Sequence, residues 1–385
     1  MKRVYLDHAA TTPLAPEVLE AMKPHLTEQY GNASSVHQLG RQARVTLEEA
    51  RERMADCLGA ASSEIVFTSG GTEADNLALK GVLGQAGDEA GLITSAAEHE
   101  AVLRPAERLR KQGHPVTILS PEDGGAVLPA QVEAVLDEQT ALVSLMHTNN
   151  EVGARTDVAS IAEVCHDHDV LLHCDAVQAA GLYDLDVDAL GVDLLSMSAH
   201  KFHGPKGVGA LYVRSGVDLA PLVEGGSQER ERRGGTENVP AVVGMAEALE
   251  RAVSTAEERR EHLSDLQRRL VQGLDAATPC PYVLNTPVDD GAAPHVVNVA
   301  FPPVDGEPVD GEMLILNLDM QGVLVSAGSA CTSGALEPSH VLSALGLDRE
   351  TASAAVRFSM GGETTTDDVD YALDQLRTTL ERMTG

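Results

Sequence analysis

Ser196-Met197-Ser198-Ala199-His200-Lys201-Phe202-His203-Gly204-Pro205-Lys206-Gly207 is the stretch from which the rest of the chain can be read. A short apolar strand pattern runs into it, a lysine follows, and no acid stands among the twelve residues. The chain has only six lysines among 28 basic residues, and two of the six stand here. A solvated loop at a strand end is the bland reading. A lysine behind a buried strand, flanked by Ser198 and His200 as hydrogen-bond donors for a phosphate, has instead the features of a Schiff-base lysine. Such an amine needs a depressed pKa and a phosphate-bearing cofactor at its side.

Working outward, β-rich apolar runs precede and follow this stretch: Ile65 to Thr68, Gly91 to Ser95, Val116 to Leu119, Ala141 to His147, Val170 to Asp175, Asp193 to Ser198 and Gly207 to Val213. Helix patterns lie between several of them, at Gly71 to Leu83, Glu100 to Lys111, Pro129 to Leu136 and Val158 to His168. This alternation predicts an α/β fold with a mostly parallel, helix-covered sheet. A helix around Arg41 to Leu58 is expected to support itself through Arg44/Glu48 and Glu49/Arg53 pairs. After about residue 240 the pattern changes. One long charged helical stretch, Ala241 to Leu274, is followed by a Pro/Gly-rich segment with a strand at Val296 to Phe301. A helix (Glu312 to Met320), strands at Val323 to Val325 and Ala355 to Ser359, and a closing helix (Thr366 to Met383) complete a smaller α+β unit. The division expected is 15–255 for a large domain, and 1–14 with 256–385 for a small one.

Other residues have the chemistry that Lys201 would need. Asp175 ends an apolar strand, where the carboxyl edge of an open α/β sheet meets its ligands, and a carboxylate there suits a pyridine nitrogen that must stay protonated. A plain cap is the alternative. Thr68-Ser69-Gly70-Gly71-Thr72-Glu73 reads as strand, glycine turn and helix, an ordinary capped loop or a phosphate cradle at a helix N-terminus. Ser326 to Ala335 is ten small uncharged residues around one thiol, Cys331. That setting suits a nucleophile on a moving loop of about 326–337, whereas Cys57, Cys165 and Cys174 read as apolar packing and Cys280 as a turn residue. His99 stands at a strand-to-helix junction and Arg357 on a late strand. Cys165, His166, His168, His173 and Cys174 tempt a metal reading, but a helix end and alternate faces of a strand do not close a four-ligand site, so no metal is expected.

Taken together these segments resemble a known family, the cysteine desulfurases of the iron–sulfur-assembly and nitrogen-fixation (NifS/IscS) type. These belong to the class V aminotransferase group of fold-type I pyridoxal-phosphate enzymes. The resemblance runs nearly end to end: Tyr5 to Thr12, Ile65 to Asn76, Glu98-His99, Met146 to Glu151, Cys174 to Gln178, Ser198 to Gly207, Arg233 to Thr236, Ser329 to Ser333 and Arg357 to Ser359. It implies pyridoxal 5'-phosphate bound to Lys201, with Asp175 on the ring nitrogen, Gln178 on the ring hydroxyl and His99 stacked on the ring as a proton carrier. Gly71, Thr72, Ser198 and His200 hold the phosphate, and Thr236 reaches in from the other subunit of a homodimer. Asn150 and Arg357, with Asn32, bind the substrate carboxylate. Cys331 attacks the sulfur of L-cysteine, keeps it as a persulfide and releases L-alanine. The sulfur then passes to an acceptor or iron–sulfur scaffold protein, for cluster assembly or tRNA thiolation. Asn32-Ala33-Ser34-Ser35 departs from the family's Asn-Pro-Ala-Ser, and Cys174 stands where valine is common. The chain ends without the C-terminal tail that some relatives use for docking. A selenocysteine lyase, an aminotransferase-like enzyme and a non-catalytic sulfur or metal carrier are the rival readings.

Composition narrows the setting. With 43% hydrophobic residues the chain can build cores for two or three domain-sized units. No apolar run approaches the roughly 18 residues of a membrane span, the start lacks a signal-peptide core, and five scattered cysteines make no disulfide framework. The cytoplasm is therefore expected. A net charge of −31 repels nucleic acid. Acid spread along the whole chain with few lysines suits solubility in very high salt, which predicts a halophilic protein.

Overall fold

The computed structural model describes residues 2–384 apart from 123, 289–290 and 328–337. The strands are β1 (Val4–Tyr5), β2 (Ile65–Thr68), β3 (Gly91–Ser95), β4 (Val116–Leu119), β5 (Thr140–Met146), β6 (Leu171–Asp175), β7 (Leu194–Ser198) and β8 (Gly209–Val213). They are followed by β9 (Val283–Leu284), β10 (Val296–Ala300), β11 (Val323–Leu324) and β12 (Ala355–Ser359). The helices are α1 (Pro16–Thr27), α2 (Gln38–Asp56), α3 (Gly71–Ala86), α4 (Glu100–Gln112), α5 (Pro129–Glu133), α6 (Val158–His166) and α7 (Val187–Leu190). Beyond them lie α8 (Val239–Ser254), α9 (Ala256–Ala277), α10 (Gly311–Met320), α11 (His340–Ala344), α12 (Arg349–Ser353) and α13 (Thr366–Thr384).

Seven strands form one sheet in the order β2-β8-β7-β6-β5-β3-β4. The run from β7 to β4 is parallel, and β8 lies antiparallel to both β7 and β2. These strands are apolar almost throughout because helices cover both faces. Successive residues alternate between two cores: Val66, Leu92, Leu142, Leu194 and Leu211 pack on the side of α3 and α4. Ile65, Phe67, Ile93, Val143 and Leu195 enter the larger core on the other side. Each fully buried side chain of this size contributes about 1.5–3 kcal/mol. A three-stranded sheet, β12-β10-β9, and the parallel pair β1–β11 build the remainder. No helix among the described residues is long and apolar enough to cross a membrane.

The expected strands and most helices are present, with differences that have physical causes. The single helix expected over Ala241 to Leu274 is two, α8 and α9, parted at Thr255 with φ −115° and ψ 10°. The Ser254 and Thr255 hydroxyls both donate to the Arg251 carbonyl, a side-chain competition that ends a helix. α8 then packs on α1 and α2, whereas α9 packs on α13. The intrahelical pairs expected in α2 give way to longer-range ones. Arg53 reaches Glu247 at 2.7 Å and also Glu250 on α8, and Arg44 Nε donates to the Ala33 carbonyl. Tertiary partners held by a folded neighbour outweigh an exposed i,i+4 pair worth a few tenths of a kcal/mol.

The strongest such partner is buried. Arg51 donates through Nη1 and Nη2 to both carboxylate oxygens of Glu229 at 2.7 and 2.8 Å, and Glu229 also accepts the Phe67 N–H. This pair fastens a turn in which Glu229, Arg230 and Glu231 all have positive φ, at 44°, 55° and 66°. Such backbone is costly for residues with side chains and persists only where its surroundings impose it. Replacing Arg51 by Met should destabilise the protein by about 3–5 kcal/mol, because a buried carboxylate is left alone. The double replacement Arg51→Met/Glu229→Leu should lose less. Urea denaturation of both variants checks this, and equal losses would show that the pair does not matter.

Candidate active site

The carboxyl ends of β5, β6 and β7 open into a cavity of about 850 Å³. This is where the crevice of an open α/β sheet is expected, since strand ends there deliver side chains and helix N-termini converge. Lys201 arrives on the short turn Ala199–Lys201 after β7, Asp175 on the last residue of β6, and Ser198 on the last of β7. Gly71 and Thr72 begin α3, and His99 precedes α4. All of these line the cavity, together with Gln178, His200, Asn150 and Arg357.

Two glycines make the cradle possible. A Cβ on Gly71 would stand 2.8 Å from Val177 Cγ2, and one on Gly209 would stand 2.6 Å from the Gly70 carbonyl carbon. The start of α3 therefore sits directly against β8 and the Asp175–Gln178 turn, with its first N–H groups free for an anion. Glu73 fixes this turn by accepting from Ser69 N and from Arg233 Nε at 2.8 and 2.9 Å.

The electrostatics are those of a dry site. Asp175 is 6% exposed, and burial raises its pKa, while the Val177 N–H on Oδ1 and the nearby His99 and Lys201 pull it back. Burial, with Arg357 adding repulsion, lowers Lys201 to about 8. Its Nζ donates to the main-chain carbonyls of Ala9 and Ala10. Burial also brings His200 down to about 4, so its ring is neutral; Nδ1 lies 3.1 Å from Thr11 Oγ1. His99 is lowered as well, by burial first, and its Nδ1 accepts the Ala101 N–H. Gln178 is gripped from both ends, donating to Ala9 O and meeting His295 Nε2.

Several of these partners lay beyond the reach of local sequence reading. Arg357 Nη2 pairs with Asp7 at 2.9 Å and Nη1 donates to the Asn150 carbonyl at 2.7 Å, and its buried Nε has no hydrogen-bond partner among the described residues. Behind Asp175, His173 stands 2.9 Å from both Ser144 Oγ and Ser196 Oγ, and its Nε2 is 3.7 Å from buried Asp75. Glu98, Glu151 and Ser339 form a further buried group beside half-buried His340: Ser339 Oγ donates to Glu151, and His340 meets the Glu98 carbonyl. Asp7, Asp75, Glu98 and Glu151 fall inside the quoted segments, and that was the only signal for them.

Two expected residues lie elsewhere. Asn32 is exposed, with Oδ1 accepting from Ser34 N, and Thr236 is exposed beyond Arg233. Neither lines the cavity. Cys331 lies outside the described residues, but Ala327 and Pro338, the described residues flanking its segment, both line the cavity.

With six lysines in the chain, Lys201 should be separable by chemistry alone. In cofactor-free protein, reductive methylation near pH 8 should modify Lys201, whose amine is lowered to about 8, ahead of the other lysines. Peptide mass mapping across pH checks this. Labelling of Lys201 only above pH 10 would contradict the environment described here.

Residues 4–372 match the class-V aminotransferase family. The chain is 46% identical over 387 residues to "Cysteine desulfurase IscS" of Dictyoglomus turgidum, covering 100% of this chain and 96% of that protein. Its fold superposes on a solved "NIFS-LIKE PROTEIN" with a TM-score of 0.91 and 38% identity, over 99% of this chain and 100% of the other. A structure described as "SspA in complex with cysteine" has a TM-score of 0.81 and 36% identity, over 94% and 100% of the two chains.

Proposed function

The chain belongs to the class-V aminotransferase family, among its cysteine desulfurases. From that premise we propose a pyridoxal 5'-phosphate-dependent enzyme that turns L-cysteine into L-alanine and leaves the sulfur as a persulfide on Cys331. The observation that carries this reading is the convergence of an uncharged-prone lysine, a buried carboxylate, a histidine and a helix N-terminus on one cavity.

The donor set suits the cofactor. Lys201 would hold it covalently through Nζ, and Asp175, whose buried charge lacks a fixed cationic hydrogen-bond partner, would face the pyridine nitrogen. The start of α3, Thr72, Ser198 and neutral His200 would take the phosphate, and Gln178 the ring hydroxyl. When bound, the cofactor supplies an electron sink that eases removal of the substrate's α-proton.

The chain's own residues do the rest. Arg357, oriented by Asp7 and the Asn150 carbonyl, presents its unpartnered Nε to the substrate carboxylate, beside Asn150. Lys201 Nζ, lowered to about 8, has a neutral fraction at physiological pH that can accept a proton. His99 lines the cavity and, with Nδ1 occupied by the Ala101 N–H, would hold and move a proton at Nε2. Cys331 then bonds to the substrate sulfur as the carbon–sulfur bond breaks. L-Cysteine as substrate is supported by the similar protein solved with cysteine.

The reading extends to a cytoplasmic homodimer. Exposed Thr236 stands three residues beyond Arg233, which is tied to Glu73 at the cradle's rim, and Thr236 of the partner subunit would complete each phosphate site. A large domain of 15–255 and a small one of 1–14 with 256–385 accord with the helix break at Thr255 and the pairing of β1 with β11. An acceptor or iron–sulfur scaffold protein would take the sulfur.

Cys331→Ala should keep the bound cofactor's visible absorption yet lose both alanine release from L-cysteine and the +32 Da persulfide, a mass difference set by one sulfur atom on the order of 32 Da. Unchanged turnover would favour an enzyme without sulfur transfer to Cys331. The −31 charge predicts that thermal unfolding moves to higher temperature in molar KCl than in dilute buffer, as screening relieves self-repulsion. Precipitation in molar KCl, with full stability in dilute buffer, would remove the halophilic reading.

A further inference from the structure

The mechanism above uses one of two histidines whose hydrogen bonds complement each other at the cavity. His99 Nδ1 accepts the Ala101 N–H at 3.1 Å. A nitrogen accepting from an amide carries no proton, so the neutral ring is protonated at Nε2 and offers the cavity a donor. His340, the first residue of α11, also lines the cavity. Its Nε2 lies 2.8 Å from the Glu98 carbonyl oxygen. A carbonyl accepts only, so Nε2 carries the proton and Nδ1 keeps its lone pair. One tautomer, anchored at opposite nitrogens, therefore gives the site one donor and one acceptor.

His340 stands among acidic and cationic side chains at the cavity wall. Glu151, from the connection after β5, and Glu100, at the start of α4, line the same cavity; the cationic side chains there are Lys201, Arg104 and Arg357. Burial raises the Glu151 pKa, while the Ser339 hydroxyl and the nearby His340 pull it back. Glu151 is held by Ser339 Oγ, the cap of α11, which joins both partners to one short helix. Glu98 supplies the carbonyl to His340 while its carboxylate accepts the Met146 N–H.

The geometry points to His340 as the base that takes the thiol proton of bound L-cysteine during sulfur transfer. The inference rests on the desulfurase reading. As the Cys331 thiolate gives its electron pair to the substrate sulfur, the carbon–sulfur electron pair goes to carbon. The S–H bond breaks with its pair left on sulfur, and the proton moves to His340 Nδ1. The sulfur thus leaves the cavity as a persulfide anion. Nε2–H stays on the Glu98 carbonyl throughout, and His99 keeps its separate role as donor.

The test is His340→Gln, which keeps an N–H donor for the Glu98 carbonyl but has no base. In the holoenzyme, alanine release from L-cysteine should fall about 100-fold, the scale of a lost general base, with partial rescue by added imidazole. The spectral change on adding L-alanine, which has the amine and carboxylate but no thiol, should match that of the unaltered protein. Turnover at the unaltered level would overturn the proposal, and so would an equal loss of the L-alanine response. If the variant does not fold, ¹⁵N-histidine spectra of the unaltered protein decide: His340 protonated at Nε2 supports the assignment, and Nδ1–H overturns it. Failure of the unaltered holoenzyme to form alanine from L-cysteine would instead overturn the desulfurase reading, and with it this step.

Discussion

A carboxylate buried at the carboxyl end of a parallel strand is the constraint around which this protein is organised. Asp175 has left water for a site in which its fixed hydrogen bond comes from the Val177 amide. A charge so placed is costly unless a cation meets it. His99 and Lys201 are the positive groups that lower its pKa, and both are themselves made reluctant cations by burial. The site therefore favours a ligand that brings its own protonated ring, and it keeps the neighbouring amine free to react.

The rest of the fold serves this arrangement. A parallel sheet needs helices on both faces, and those helices deliver their N-termini to the strand ends where Asp175 and Ser198 emerge. The N-terminal residues Ala9 and Ala10 receive Lys201, while His8 N and Ala9 N bond to Ser359. One short segment thus ties the Lys201 amine to the strand bearing Arg357. Asp7 in the same segment orients that arginine.

The sequence made part of this legible. Seven apolar runs of the right length announced the large sheet, and Lys201, Asp175, Ser198 and the Gly70–Gly71 turn stood at strand ends, where local pattern and chemistry coincide. The Asp7–Arg357 and Arg51–Glu229 pairs were not legible, because their partners lie 350 and 178 residues apart and no periodicity connects them. Arg53 was assigned to its own helix because i,i+4 spacing is all that a sequence displays, whereas the folded chain offers two glutamates on α8. The break at Thr255 came from side-chain hydroxyls competing for a carbonyl, a choice that helix propensity alone does not resolve. Scarcity of lysine was the most useful compositional feature. In a chain of charge −31 it describes a surface, but it also leaves few amines from which a reactive one could be chosen.

Borohydride reduction of the coloured holoenzyme, followed by peptide mass mapping, tests the central assignment most directly. The account predicts permanent bleaching and a pyridoxyl mass on Lys201 alone among the six lysines. A label on any other lysine, or a protein that binds pyridoxal phosphate yet yields no reducible link to Lys201, would contradict it.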